Sequence, residues 1–276
     1  MKEFFLSNNK VDCEQSVHLG SGVWWVGFQD EASGLHCNPY LIIDGDEAVV
    51  IDGGSRPDFP VVMMKILETG LNPANIIALI YDHYDPDLCG SIPNFEEMIN
   101  KPDLKLISSG FSHTFIRHYG ASSQFARIAD LNFHFKFSSG RTLEFITTPY
   151  CHSRGSFVVY DTRSKILFSG DLFGTYDKDW SLFYSFPDGC GVQEPCLICA
   201  AKAANCRLKS YKDFHRITMP SSRALRYGLA KIKDTPYEMV ASQHGSILDR
   251  RSALMLAEKL AQLDDIGIDN LMPEER

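Results

Sequence analysis

Residues 75–87 read "NIIALIYDHYDPD", an apolar run of strand length that opens without a linker onto one histidine and three aspartates. The same pattern recurs three times. The run "RTLEFITTP" leads to His152 in "TTPYCHSRGSF". The run "KILF" leads to Asp171 in "ILFSGDLFG", and "YEMVAS" leads to His244 in "MVASQHGSI". Short apolar or alternating runs bounded by Gly, Pro and Ser read as strands. Open sheets collect their sites at the carboxyl ends of strands. Four strands that each end on a ligand-type side chain restrict the fold to one that gathers those ends in one place.

The rest of the chain alternates strands and helices. "GVWWVGF", "PYLIID" and "EAVVIDGG" read as strands. "PDFPVVMMKILETGLNP" has helical spacing closed by a Gly-Leu-Asn-Pro stop. "NFEEMIN" and "GFSHTFIRHYG" read as helices, and "DLKLISS", "LNFHFKF" and "SFVVYDT" as strands. Beyond residue 190 the pattern turns helical, through "LICAAKAANCRL", "SSRALRYGLAKIKD" and, after the last strand, "RSALMLAEKLAQL". With no repeat, low-complexity tract or linker, a single domain over 1–276 is expected. The stretch 174–215 looks least like its surroundings and reads as a helical, cysteine-containing insertion.

Composition narrows the function classes. The 276 residues are 44% hydrophobic and 22% charged, which suits a globular chain with a sizeable core. A net charge of −8 argues against a nucleic-acid surface. The apolar runs fall far short of the ~20 residues a membrane span needs, and "MKEFFLSNNK" is too short for a signal-peptide core. Eight cysteines scattered over this length do not form a secreted disulfide framework, so a cytoplasmic location is expected.

His83, Asp85 and Asp87 lie two residues apart. In a loop leaving a strand they can curl around one point, offering imidazole nitrogen and hard carboxylate oxygen to a divalent first-row metal. Taken alone, such a segment is usually just a solvated polar loop. His152, Asp171 and His244, each flanked by Ser or Gly just past a strand, favour the metal.

The ordered set "DHYDPD", "PYCHSRGS", "LFSGDLFG" and "ASQHGS" resembles the metallo-β-lactamase superfamily, whose first motif is usually His-x-His-x-Asp-His. It is closest to the flavodiiron branch, in which a carboxylate replaces the second histidine. The N-terminal run "VWWVGFQD…NPYLIIDGDEAVVIDGG" is also similar to the start of such a core, and the resemblance covers most of 17–250. It implies an α/β (α+β) fold, a four-layer αββα sandwich. It also implies two iron ions, bridged by oxide or peroxide when oxidised: His83, Asp85 and His152 on one, Asp87 and His244 on the other, Asp171 between them. No catalytic residue distinct from these ligands is implied. Three carboxylates against two ferrous ions leave one positive charge, and the same charge remains once both irons are oxidised around a bound peroxide. Hard oxygen donors favour iron or manganese, and zinc is the alternative metal.

Two positions depart from the flavodiiron pattern. Asp85 stands where a glutamate is usual, and Leu88 stands where a histidine ligand is usual. Either the second metal keeps an open coordination position, or Leu88 turns into the core and that metal is weak or absent. Flavodiiron proteins also carry a flavodoxin-like domain of about 150 residues that binds FMN. Only 32 residues follow His244 here, so no FMN is expected in this chain. The resemblance then points to the stand-alone oxygen-binding di-iron proteins: a binder or slow reductase of O2, with sensing as its role, an external electron donor and a chemotaxis-type signalling partner. A zinc hydrolase of the same superfamily is the rival reading.

Cys190, Cys196, Cys199 and Cys206 leave three readings open: a zinc or iron–sulfur site, a redox-active pair, or plain packing. His113, His118 and His134 read as surface or structural residues. His215 reads as a structural neighbour of the site. Tyr84 and Tyr176 read first as core or rim aromatics, and as candidates for donating a hydrogen bond to bound O2 second.

Overall fold

The computed structural model describes residues 11–30, 34–177, 179–192 and 206–271. Two seven-stranded sheets face each other. The first runs β1 (Val17–Gly20), β2 (Val23–Trp25), β3 (Tyr40–Asp44), β4 (Glu47–Ile51), β5 (Ile76–Ile80), β6 (Lys105–Ser108) and β7 (Gln124–Arg127) in spatial order. The second comprises β8 (His134–Lys136), β9 (Thr142–Thr147), β10 (Phe157–Asp161), β11 (Ile166–Phe168), β12 (Phe183–Tyr184), β13 (Met239–Ala241) and β14 (Ile247–Asp249), in the order 12-14-13-11-10-9-8.

The central strands of both sheets are buried on both faces, which explains the apolar runs that lack alternation. In β4, Val49 and Ile51 face the space between the sheets, while Ala48 and Val50 face helices α1 (Phe59–Glu68) and α3 (Ile92–Ile99). In β10, Phe157 and Val159 face the first sheet. Val158 and Tyr160 face α6 (Ser222–Ile232) and α7 (Arg250–Ala261). Helix, sheet, sheet, helix is the four-layer sandwich. Between α1 and α3 lies the single turn α2 (Pro86–Cys89), and α4 (Gly110–Ile116) follows β6.

Strand direction places the site. β9 and β11 both pair antiparallel with β10, so they run the same way, and β13 pairs parallel with β11. The carboxyl ends of β9, β11 and β13 therefore share one edge of the second sheet. β4, β5, β6 and β7 form a parallel run in the first sheet. The exit of β5 supplies the segment that meets that edge.

The segment 174–215 is built into the sandwich where it is described. β12 pairs parallel with β14, and Trp180 and Leu182 join the apolar layer between the sheets. Helix α5 (Arg207–Thr218) packs its buried face, including Leu208 and Tyr211, on the outer layer of the second sheet. Of the helical reading "LICAAKAANCRL", all but the last residues lie outside the described residues, as do Cys196 and Cys199. Cys190 is buried in the outer apolar cluster, and Cys206 precedes α5 as its N-cap.

Candidate metal centre

The loop after β5 turns into α2 at Pro86, so that Asp85 stands at the N-cap position, its side chain free of any capping hydrogen bond, and Asp87 sits in the first turn. Pro is suited to a first helical position because its fixed φ matches and its missing N–H has no partner to lose. This turn directs Asp85 and Asp87 to two different histidines. Asp85 Oδ2 is 3.1 Å from His152 Nε2, and Asp87 Oδ2 is 3.0 Å from His244 Nε2. Asp171 lies between them, with Oδ2 3.1 Å from His152 Nε2 and Oδ1 3.6 Å from His244 Nε2. His83 Nε2 is 3.9 Å from Asp85 and 4.0 Å from Asp171. All six residues singled out in the sequence thus converge on one place. His83, Asp171 and His244 are buried, whereas Asp85, Asp87 and His152 form a partly exposed rim.

Three residues that the sequence reading did not single out complete the cluster. Asp82 hydrogen-bonds to Nδ1 of His83 and so turns Nε2 toward the centre. The carbonyl of His36 accepts a hydrogen bond from Nδ1 of His244 at 3.1 Å and orients that ring in the same way. Cys37 lies beside His244 and Asp87, and donor atoms of these three residues fall within 4.8 Å of one another, as do those of His83, His152 and Asp171. A histidine whose second nitrogen is tied to a carboxylate or carbonyl is the usual state of a metal-ligating imidazole.

Gly170 makes the contact between the two loops possible. Its φ is +55°, and a Cβ there would fall 2.2 Å from Asp82 Oδ2. His215 fixes the stretch that follows. Its Nδ1–H donates to the Tyr211 carbonyl at 2.7 Å, and its Nε2 accepts the Phe173 N–H at 3.1 Å. With both nitrogens satisfied and the ring buried, its pKa is pushed down to about 4. His113 is buried against Phe125, and His118 and His134 are exposed, all outside the cluster. Tyr84 stacks on Phe115 in α4, and Tyr176 lies edge-on to Phe214, whose ring is 6.2 Å from His244.

The protonation equilibria describe a place built for cations. Burial opposes a charged His83, yet Asp171 and Asp82 outweigh it and hold its pKa well above the ordinary value. Burial also opposes charge on His152, but hydrogen bonds to Asp171 and Asp85 raise it to about 9. His244 is raised well above its usual range by Asp87 and Cys37 against the same burial. Conversely, burial works to raise Asp171, and the three histidines still pull it far below the carboxylate range. Asp171 Oδ1 is shielded from solvent and has no hydrogen-bond partner among the described residues. Such an oxygen is costly unless something positive meets it. With three imidazoles, three carboxylates and this orphaned oxygen between them, the residues fit a pair of first-row transition-metal ions.

Fold and cluster together define a metallo-β-lactamase-like core of the flavodiiron branch. Residues 35–245 match the family described as "ODP family beta lactamase", and the chain belongs to it. Among solved structures, the chemotaxis sensor ODP, captured as a peroxy diiron species, superposes with a TM-score of 0.70 at 21% identity, covering 93% of this chain and 97% of that one. The rubredoxin:oxygen oxidoreductase of the anaerobe Desulfovibrio gigas superposes with a TM-score of 0.72 at 18% identity, over 90% of this chain and 61% of its own. The anaerobic nitric oxide reductase flavorubredoxin of Aliivibrio fischeri is 24% identical over 273 residues, 93% of this chain and 51% of that protein. The chain spans a third to about half the length of the curated relatives it matches. No helix of the described residues is long and apolar enough to cross a membrane.

Proposed function

We propose that this chain is a binuclear non-haem iron protein that binds O2 and serves as an oxygen sensor. The observation that carries this reading is the split carboxylate of Asp171, one oxygen toward His152 and the other toward His244. On this reading His83, Asp85 and His152 would hold one ion, Asp87 and His244 would hold the other, and Asp171 would serve both. Two ferrous ions so held would supply electrons and a binding position for O2. The three carboxylates supply hard oxygen donors that suit iron or manganese, and the kinship with the peroxy diiron form of ODP supports iron. Asp82 and the His36 carbonyl keep both buried imidazoles aimed inward, and the partly exposed rim of Asp85, Asp87 and His152 is the side from which a small solute enters.

The kinship with a chemotaxis sensor supports a signalling output, and the kinship with oxygen and nitric oxide reductases supports slow reduction of O2 when an external donor resupplies electrons. The partner would then be a chemotaxis-type protein of the cytoplasm. On this reading the chain works as one αββα unit.

The test is anaerobic loading with ferrous iron followed by one addition of O2. Two irons retained per chain and a long-lived new visible absorption support the O2-binding reading. Retention of zinc but not iron would overturn it in favour of a hydrolase.

A further inference from the structure

Leu88, the residue standing where a ligand would be expected, is fully buried in the apolar layer beneath the first sheet, with Ile92 and Phe95. It does not reach the cluster. Another side chain does. Cys37 comes from the loop before β3, and its donor atom lies with those of Asp87 and His244 inside a 4.8 Å span, the spread of donors around a single ion.

The backbone around Cys37 is pinned for this placement. Cys37 pairs with His244 in an isolated antiparallel bridge. Next to it, the Asn38 N–H donates to the Gln243 carbonyl at 2.9 Å, and the Asn38 side-chain amide donates to the carbonyls of Ser242 and Gly245 at 3.0 and 2.9 Å. The Tyr40 hydroxyl donates to Ser242 at 3.0 Å. Gly27 is required on the other side, because a Cβ there would fall 2.3 Å from the Cys37 carbonyl. A buried cysteine is often an inert apolar filler. Here a second feature points to a ligand: Asp171 Oδ1, buried and without a hydrogen-bond partner, lies 3.6 Å from His244 Nε2 on the same side of the site.

We propose that Cys37 binds the second metal ion through Sγ as a thiolate, alongside Asp87, Asp171 and His244, and so supplies the donor that Leu88 does not. The inference rests on the binuclear reading above. The thiol proton passes to solvent as the sulfur–metal bond forms. Asp85, Asp87, Asp171 and Cys37 then set four negative charges against two divalent ions, which leaves a buried site neutral. A thiolate also tilts the second position toward softer ions such as Co(II), Zn(II) and Fe(II), and away from Mn(II).

Cobalt(II), titrated without oxygen, tests this directly, because a cobalt–thiolate bond adds a sulfur-to-metal charge-transfer band in the near ultraviolet. The intact protein is expected to show that band with up to two cobalt ions bound. Cys37→Ser is expected to lose it while still binding cobalt at His152. His152→Ala is expected to keep it. Two bound cobalt ions without the band, or a band that survives in Cys37→Ser, would overturn the assignment of Cys37 and leave the binuclear reading standing. A protein that binds no cobalt would overturn both. Circular dichroism of each variant, compared with the parent, separates loss of the bond from loss of the fold.

Discussion

Asp171 reaches two histidines that lie 92 positions apart in the chain, His152 through Oδ2 at 3.1 Å and His244 through Oδ1 at 3.6 Å. One carboxylate therefore links the two halves of the cluster. Asp171→Asn keeps the shape and removes the charge. The variant is expected to fold and to retain fewer than half the metal ions of the parent, as measured by elemental analysis after gel filtration. Full occupancy in this variant would refute the bridging role.

Asp82 does its work through His83. Removing the partner of a ligating imidazole typically weakens metal binding about 10–100-fold. Asp82→Ala is expected to lose affinity in that range, read by competition with a chromophoric chelator. The unfolding midpoint of the metal-loaded variant should fall in step with the lost affinity.

Proton linkage gives a third expectation. In metal-depleted protein His152 titrates near 9, above an unfolded value of about 6.5. Because the folded value is the raised one, its stabilising contribution is complete below about 6.5 and disappears as pH climbs through 9. The melting temperature of chelator-treated protein should therefore decline from pH 6.5 to 9. Metal must displace the same proton, so affinity should rise over that interval, and loading at pH 7 should release protons that a dye indicator can count. A chelator-treated protein that gains stability toward pH 9 would contradict the pairing of His152 with Asp171 and Asp85.

Gly170 and Gly45 make a matched pair. Both have positive φ, +55° and +63°, but only at Gly170 would a Cβ meet another atom, Asp82 Oδ2 at 2.2 Å. Gly45→Ala should cost about 1 kcal/mol for the backbone alone. Gly170→Ala should cost about 1–3 kcal/mol more, as Asp82 is forced aside, and should weaken metal binding as His83 loses its anchor. Denaturant unfolding of the two variants measures the difference.

The sequence reached the six residues of the cluster because each follows an apolar strand directly, and the strand marks where its side chain emerges. It did not reach Cys37. That residue is placed by pairing with His244, 207 positions away, and nothing local in "HCNPY" announces the pairing. Asp82 was visible only as one more acid in a polar loop; its role depends on the ring angle of the next residue. The strands β12 and β14 have two and three residues. Runs that short carry no period to detect; β14 exists because β13 offers it an edge, and β12 because β14 does. The central strands were plain, since burial on both faces demands apolar residues throughout.

The donors are divided between the sheets. Those from residues 37 to 87 hang from the first, and those from 152 to 244 hang from the second. A ribosome making this chain therefore completes the first sheet long before the residue that finishes the cluster has been translated. No arrangement of the earlier donors alone reproduces the site, so its assembly has to wait for the late strands to dock. A product truncated before residue 152, however well its first sheet folds, carries only the donors of that sheet and not the centre.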